Sequence, residues 1–283
     1  MQIKASVIIR SYNRVEALCE LLEILLLQDF DSFEIVIVEQ STEYKKESWN
    51  KLLLLSSSPK VKLLTYEPLG GPRARNEGVK NASGEILIFI DDDDLPTSTN
   101  WISKHIEAYQ NPKLVGFTGR HIFEGNSNCP YVPWLRWYIR RKVMSYSFLK
   151  LPYTFAQFDE DVPNVGWLHG TNSSIRKDWA LKAGLWDTHV KNQDEHSFAF
   201  KLQPFLTDGF HLEFKKEPAV IRRMNIGGGM GKRKFSIRRE FQNQYRYFKH
   251  TVFRYFPELK KYYPFILILI SGKVVMKFPR TLF

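Results

Sequence analysis

Four consecutive carboxylates, Asp91, Asp92, Asp93 and Asp94, follow a short, continuously apolar run at residues 86–90. A run of that length, rich in isoleucine, reads as a fully buried strand of a parallel sheet. The acids stand where such a strand leaves the core, the end at which open α/β sheets bind ligands. Adjacent ionised carboxylates repel unless something cationic sits among them. A divalent ion of the Mg²⁺ or Mn²⁺ type, held by one or two carboxylates and substrate phosphates, meets that need. The stretch therefore reads as a metal–diphosphate site. The competing reading is a solvated acidic loop, and the strand directly before the acids weighs against it.

The elements that must position these acids come from alternation in the chain before them. Residues 5–10 are a short apolar strand, and Ser11, Tyr12, Asn13 and Arg14 lead into residues 15–28, whose leucines recur at helical spacing. Residues 34–38 read as a second buried strand, ending in Glu39 and Gln40. A helix over 44–55 is broken by Ser56, Ser57, Ser58 and Pro59, and residues 61–66 read as a third strand. Gly70, Gly71 and Pro72 turn the chain into a helix over 73–81. Strand–helix alternation with short links predicts a doubly wound α/β unit over about the first 120 residues. Neither a GxGxxG turn nor a P-loop is present, which counts against dehydrogenases and NTPases.

At 283 residues and 43% hydrophobic, the chain can bury one large core with or without an appendage. Cys19 and Cys129 lie far apart with no metal-ligand spacing, which fits a reducing compartment. The first ten residues are strand-like, so export is not expected. The longest late apolar run, residues 265–270, is far shorter than the roughly 20 residues of a spanning helix. Net charge is +11, unevenly spread: from Arg222 on, fifteen Lys and Arg face two acids, leaving the first 221 residues slightly acidic. A near-neutral body with a basic tail predicts a tail that meets phosphate-rich material.

The blocks SVIIRSYNR, FEIVIVEQS, GPRARNEGVKNASGEILIFIDDDD and WLHGTNSSIRKDWALKAGLWDTHVKNQDEHSFAFKL, over about residues 4–203, resemble the successive signatures of family 2 inverting glycosyltransferases with the GT-A fold. The resemblance implies a Rossmann-like α/β fold with a mainly parallel central sheet and a helical basic C-terminal segment. It divides the chain into a catalytic domain over 1–221, with a donor half to about residue 120 and an acceptor half over 121–221, and an extension over 222–283.

What it implies for the site follows position by position. Ser11 and Tyr12 stand where the nucleotide is held, Tyr12 stacking on the base. Glu39 and Gln40 replace two aspartates, one of which hydrogen-bonds the base; Gln both accepts and donates, so the base stays open. Arg73 and Arg75 match an arginine-bearing helix near the diphosphate or base. Asp93 corresponds to the metal ligand and Asp91 to a position nearer the ribose or the metal, with Asp92 and Asp94 supporting or solvated. Asp194 and Glu195 match an acidic pair in swapped order; Glu195 is the first choice for catalytic base and Asp194 the second. From the residues alone, both are simply acids favoured at a helix N-terminus. His169, Trp186 and Asp187 match a loop and an aromatic–Asp pair bordering the sugar, although Trp186 also suits core packing. The family's later histidine is absent, and Arg222 and Arg223 occupy that region, with His211 a further candidate.

Three segments fall outside these blocks. The glycine-rich stretch 226–232 reads as a loop able to close over donor. Residues 131–142 interleave aromatics with Arg and Lys, as interfacial segments do. Apolar residues from Ile237 to Phe256 recur every three or four positions among arginines, predicting one amphipathic basic helix that lies either on an anionic membrane or on its own core. The partners implied are a nucleotide-diphosphate sugar, a glycan or lipid-linked acceptor and an anionic membrane surface, with a cytoplasmic location, Mn²⁺ or Mg²⁺ as cofactor and no nucleic acid. The alternatives are a nucleotidyltransferase and a non-catalytic polyanion-binding protein on an α/β scaffold.

Overall fold

The computed structural model describes residues 3–124, 133–190, 193–223 and 236–277, without the side chains of 133–135 and 272–277. The glycine-rich stretch 226–232, Cys129 and the first residues of the aromatic–basic segment lie outside that set.

Three strand–helix repeats open the chain. They are β1 (Ala5–Ser11) and α1 (Val15–Leu26), β2 (Phe33–Glu39) and α2 (Lys46–Leu55), and β3 (Val61–Thr65) and α3 (Gly71–Asn81), followed by β4 (Ile86–Asp91). The apolar runs form these strands because both faces are covered. Val7 and Ile9 face one core with Leu18, Leu22 and Trp101, while Ile8 faces another with Val79, Leu87 and Phe89. The chain enters α3 through Gly70 at φ +82°, a left-handed conformation that glycine adopts without penalty, and proline follows in the first turn.

Beyond β4 come β5 (Asp94–Pro96), α4 (Trp101–Ala108), β6 (Leu114–Phe123), α5 (Pro133–Arg140), β7 (Ser145–Tyr146), β8 (Pro152–Tyr153) and β9 (Val162–Pro163). They are followed by β10 (Ser173–Arg176), α6 (Lys177–Lys182), α7 (Asp194–Leu202) and β11 (His211–Arg222). The main sheet runs β3-β2-β1-β4-β10-β6-β11-β5. Strands β1 to β4 pair in parallel, as do β6 and β11, while β10 is antiparallel to both its neighbours. In this register Arg10 lies opposite Asp91 and Ser11 opposite Glu39, so three strand ends finish level. The acids are not all in a loop: Asp94 opens β5 and pairs with Arg222 at the end of β11.

After β11 the chain forms α8 (Ile237–Tyr247), a wide π turn over Phe248–Val252, α9 (Phe253–Tyr255), a tight turn over Pro257–Tyr262 and α10 (Tyr263–Lys277). The amphipathic helix expected from Ile237 to Phe256 thus runs unbroken to Tyr255, widened by the π turn in its middle. Its stripe is largely internal: Tyr247, Phe248, Val252 and Phe253 form a third core with Leu149, Phe200, Leu259, Ile266 and Ile270.

Candidate active site

Arginines occupy the acidic cluster. Arg10 Nε donates to Asp91 Oδ1 at 3.1 Å, and Arg222 reaches Asp91 Oδ2 at 3.5 Å. Arg14 NH1 donates to Asp92 Oδ1 at 3.0 Å and to Asp93 Oδ2 at 2.7 Å. Asp94, fully buried, receives Arg222 Nε at 3.0 Å and NH2 at 3.2 Å. Asp92 also accepts from the Ser11 hydroxyl at 2.8 Å. The solvated option for Asp92 and Asp94 is therefore corrected: both side chains are inside, held by charge-assisted hydrogen bonds. The strand register explains this, because the level ends of β1 and β4 put Arg10 and Ser11 beside the acids.

Burial and charge pull these carboxyls in different directions. Burial opposes ionisation of Asp91, but Arg10, Arg222 and Arg75 outweigh it and hold its pKa below the ordinary value. Burial pushes Asp92 up to about 7 despite Arg14, and Asp94 up to about 7 despite Arg222. Carboxylate oxygens of Asp91, Asp93 and Asp94 lie within 4.8 Å of one another. Asp93 Oδ1 is buried without a hydrogen-bond partner. A carboxylate oxygen left open in this way beside a second acid is a fitting ligand for a hard divalent cation. Asp94 fits that role less well, since its oxygens already accept from Arg222 and Thr171.

The loop before β10 joins this cluster to a second one. Thr171 Oγ accepts from the Asp91 backbone N–H at 2.9 Å and donates to Asp94 Oδ2 at 2.6 Å. One residue earlier, the Gly170 carbonyl accepts from Arg75 NH2 at 3.2 Å. Arg75, buried on α3, donates through NH1 to Asp194 and lies 3.5 Å from Glu195 Oε1. A side chain at position 170 would collide with both Glu195 and Arg75, so glycine is what allows their approach. Burial and the neighbouring Glu195 push the Asp194 carboxyl up, against the pull of Arg75. Burial opposes the charge on Arg10, but Asp91, Asp194 and Glu195 outweigh it, so Arg10 lies in the field of both clusters.

The remaining positions divide. Glu39 is buried at the end of β2; its Oε1 accepts from the Ser41 N–H at 2.5 Å and its Oε2 has no partner. Gln40 Oε1 accepts from the Leu69 and Gly70 N–H groups at 2.9 and 3.2 Å, so its acceptor is used in tying down the loop before α3. Tyr12 is half-buried just after β1, and Arg73 is exposed in the first turn of α3, apart from buried Arg75. His169 stands edge-on to His121 at 4.5 Å; burial keeps both neutral, with His121 pushed down to about 3. Trp186 stacks on Phe198 at 4.1 Å beneath the Arg75 guanidinium, and Asp187 accepts from Arg254 at 2.8 Å. His211 lies at the opposite end of β11 from Arg222, paired with Glu213, and is too far along the sheet to complete the acid cluster.

Sequence reading singled out neither Arg10 nor Arg14 as site residues, nor Thr171 or His121. An arginine closing an otherwise apolar strand was the available signal for Arg10; the other three depend on strand pairing and loop path.

Residues 6–183 match the model of "Glycosyl transferase family 2". YwdF, an uncharacterised glycosyltransferase of Bacillus subtilis, is 37% identical over 108 residues, 37% of this chain and 39% of that protein. TarS of Staphylococcus aureus, a poly(ribitol-phosphate) β-N-acetylglucosaminyltransferase, is 33% identical over 132 residues, 42% of this chain and 22% of that one. The matched part of this chain thus spans well under half of either relative. Among solved structures, TarS 1–349 in complex with UDP-GlcNAc aligns at 17% identity over 85% of this chain and 64% of that one, with a TM-score of 0.59. The mannosyltransferase PcManGT of Pyrobaculum calidifontis, in complex with GDP-Man and Mn²⁺, aligns at 16% identity over 98% and 75%, with a TM-score of 0.60. At such identities the likeness is one of fold, the GT-A fold.

Proposed function

Because the chain belongs to glycosyl transferase family 2, we propose that this glycosyltransferase moves a sugar, with inversion, from a nucleotide-diphosphate donor to a hydroxyl of a glycan or lipid-linked saccharide. One observation carries the reading: Asp91, Asp93 and Asp94 at the strand ends are joined to Asp194 and Glu195 at the start of α7 through Thr171, Gly170 and Arg75.

The residues fit a divalent cation, Mn²⁺ or Mg²⁺. Asp93 and Asp91 would hold it, Asp93 offering its open oxygen, while Asp94 and Thr171 brace Asp91 from behind. When bound, the ion supplies charge neutralisation for the departing diphosphate. Arg10 and exposed Arg73 attract the phosphates. Tyr12 stacks on the base, and Glu39 Oε2, buried and without a partner, accepts from a base N–H. Glu195 takes the proton from the acceptor hydroxyl as it attacks, the general-base step. Its side chain is 21% exposed against 8% for Asp194, which Arg75 engages directly. His169 and Asp187 border the sugar, with Trp186 underneath.

The catalytic domain covers 1–221 and the extension 222–283, whose described helices pack on Phe200 of α7. The setting that suits this chemistry is surface polysaccharide synthesis at the cytoplasmic face of a membrane. Among the described residues no helix is long and apolar enough to cross one, and the attachment proposed is peripheral. The test is a panel of nucleotide sugars with Mn²⁺. One donor should be hydrolysed slowly and stabilise the fold; EDTA or Asp93→Ala should end both effects without loss of a cooperative melt. Donor use by Asp93→Ala at the wild-type rate would overturn the metal assignment.

A further inference from the structure

Arg14 bridges two consecutive acids of the quartet through a single nitrogen, NH1, at 3.0 Å from Asp92 and 2.7 Å from Asp93. The contact is incompletely satisfied on both sides. Arg14 Nε is buried without a partner, and so is Asp93 Oδ1. A guanidinium carries five donors in a planar fork suited to two-point binding of carboxylate or phosphate. Here it uses one nitrogen on two acids and leaves a second donor idle in the interior. That is the pattern of a pose waiting for a further acceptor. Asp92 has its own anchor in the Ser11 hydroxyl, so it keeps a hydrogen bond if Arg14 turns away. Asp93 has no other side-chain partner than Arg14 among the described residues.

Arg14 also lies at the start of α1, beside a small cleft of about 230 Å³ lined by Asn13, Arg14, Val15, Glu16, Lys45 and Ser48 among others. A divalent ion at Asp93 and a guanidinium on the same carboxylate are like charges competing for one partner. Arg14 on Oδ2 and an ion on Oδ1 would share one carboxylate, so each weakens the other's hold on Asp93.

We propose that Arg14 is the resident counter-ion of the acid cluster in the donor-free enzyme, and that it leaves Asp93 for a phosphate oxygen of the donor as the cation takes its place. The proposal rests on the metal–diphosphate reading above and adds a hand-off to it: Arg14 suppresses cation binding until the nucleotide diphosphate arrives, then helps hold it. Cation and nucleotide binding are coupled through one side chain, and the same coupling free energy must appear whichever ligand is added first.

The test is Mn²⁺ binding followed by electron paramagnetic resonance, on the full chain, with and without UDP or GDP. Wild type should bind Mn²⁺ weakly alone and more tightly with nucleotide. Arg14→Gln should bind Mn²⁺ alone about tenfold or more tightly than wild type, the scale of a lost charge-assisted hydrogen bond. It should also lose about tenfold in nucleotide affinity at saturating Mn²⁺, so that the coupling shrinks. Arg14→Lys, which keeps the charge, should retain the weak nucleotide-free affinity of wild type. If Arg14→Gln does not melt cooperatively, Arg14→Met supplies the neutral side chain with an apolar stem. A folded neutral variant whose nucleotide-free Mn²⁺ affinity is unchanged or lower overturns the hand-off while the metal site stands. Absence of Mn²⁺ binding in every variant, even with either nucleotide, overturns the metal reading and the hand-off together.

Discussion

Arg75 donates from α3 to the carboxylate of Asp194 on α7, across 119 residues of chain, and its other terminal nitrogen lies 3.5 Å from Glu195. One buried cation thus touches both members of the acidic pair and treats them unequally. Asp194 is bonded directly and nearly enclosed, while the Glu195 side chain is the more exposed of the two. An acid held by a buried guanidinium is poorly placed to give up that contact and accept a proton. Glu195→Gln should therefore lower transfer by about 10² to 10⁴ with donor binding intact. Asp194→Asn should act mainly through the fold, since breaking a buried pair costs about 3–5 kcal/mol. Steady-state rates alongside thermal melts separate the two. A severe loss of turnover in Asp194→Asn at unchanged stability, with Glu195→Gln active, would exchange the roles.

Gln40 carries a prediction that the sequence alone pointed elsewhere. Its side-chain carbonyl receives two backbone N–H groups, from Leu69 and Gly70, and so fixes the turn into α3 that carries Arg73 and Arg75. Gln40→Ala strands these donors and should destabilise the protein by about 1–3 kcal/mol. It should also raise the donor KM more than it changes kcat. Gln40→Glu keeps the accepting oxygens and should restore most of the stability; equal damage from Glu and Ala would mean that the amide itself, and a base, is what position 40 serves.

Residues 5–90 were legible because β1, β2 and β4 are largely apolar runs buried on both faces, α1 carries leucine at helical spacing, and Ser56 to Pro59 and Gly70 to Pro72 punctuate the rest. The acid cluster was legible as a site, yet not as a charge-balanced one. Its neutralisation by Arg10, Arg14 and Arg222 depends on the register of β1 against β4 and of β5 against β11, which no local pattern encodes. The stripe from Ile237 to Phe256 was correctly read as helical in period, but a period does not name the surface it meets. Here that surface includes Phe200, one helical turn and a residue beyond Glu195 on α7. Tyr247 lies 5.6 Å from His196, the neighbour of Glu195. The extension therefore steadies the helix that carries the proposed base.

The same cluster predicts how stability follows pH. Asp92 and Asp94 are raised to about 7 by burial, so between their unfolded pKa near 4 and about 7 the folded state holds protons that the unfolded chain has lost. Their contribution to stability is present at low pH and is lost as pH rises through 7. Buried His105 and His121, lowered to about 3 by burial, and His169, lowered by the same cause, act oppositely: their contribution is present above 6.5 and is lost as pH falls. Below 6.5 the two sets offset each other; above it the acids act without the histidines. Melting temperature without added divalent ion should fall from pH 6.5 to 8, and Asp92→Asn should flatten that fall. A wild-type melting temperature that climbs over this interval would contradict the burial effect on both acids.

Membrane contact, if the extension provides it, cannot use the buried face of its stripe. Phe248 and Val252 are enclosed against Leu149 and Phe200, so deleting everything after Lys234 should cost the cooperative melt and test nothing else. Exposed apolar side chains beyond that face include Phe148 at 76%, Ile268 at 68%, Trp137 at 63% and Phe265 at 54% exposure. The Phe148 ring meets Tyr262 at 5.9 Å, linking the β7–β8 hairpin to the turn before α10. Exposed Lys260 and Lys261 lie in that turn, and on α5 Trp137 carries the Arg141 guanidinium over its ring at 3.8 Å. Aromatic and aliphatic side chains beside cations are what an interfacial surface presents to anionic headgroups. The intact protein should co-sediment with anionic but not neutral vesicles, less so at high salt because the attraction is screened. Phe265→Ser combined with Ile268→Ser should weaken sedimentation while leaving the melt nearly unchanged, as both side chains already face outward. Intact protein that stays in the supernatant with anionic vesicles at low salt would remove the membrane from the reading, and the extension would then serve α7 alone.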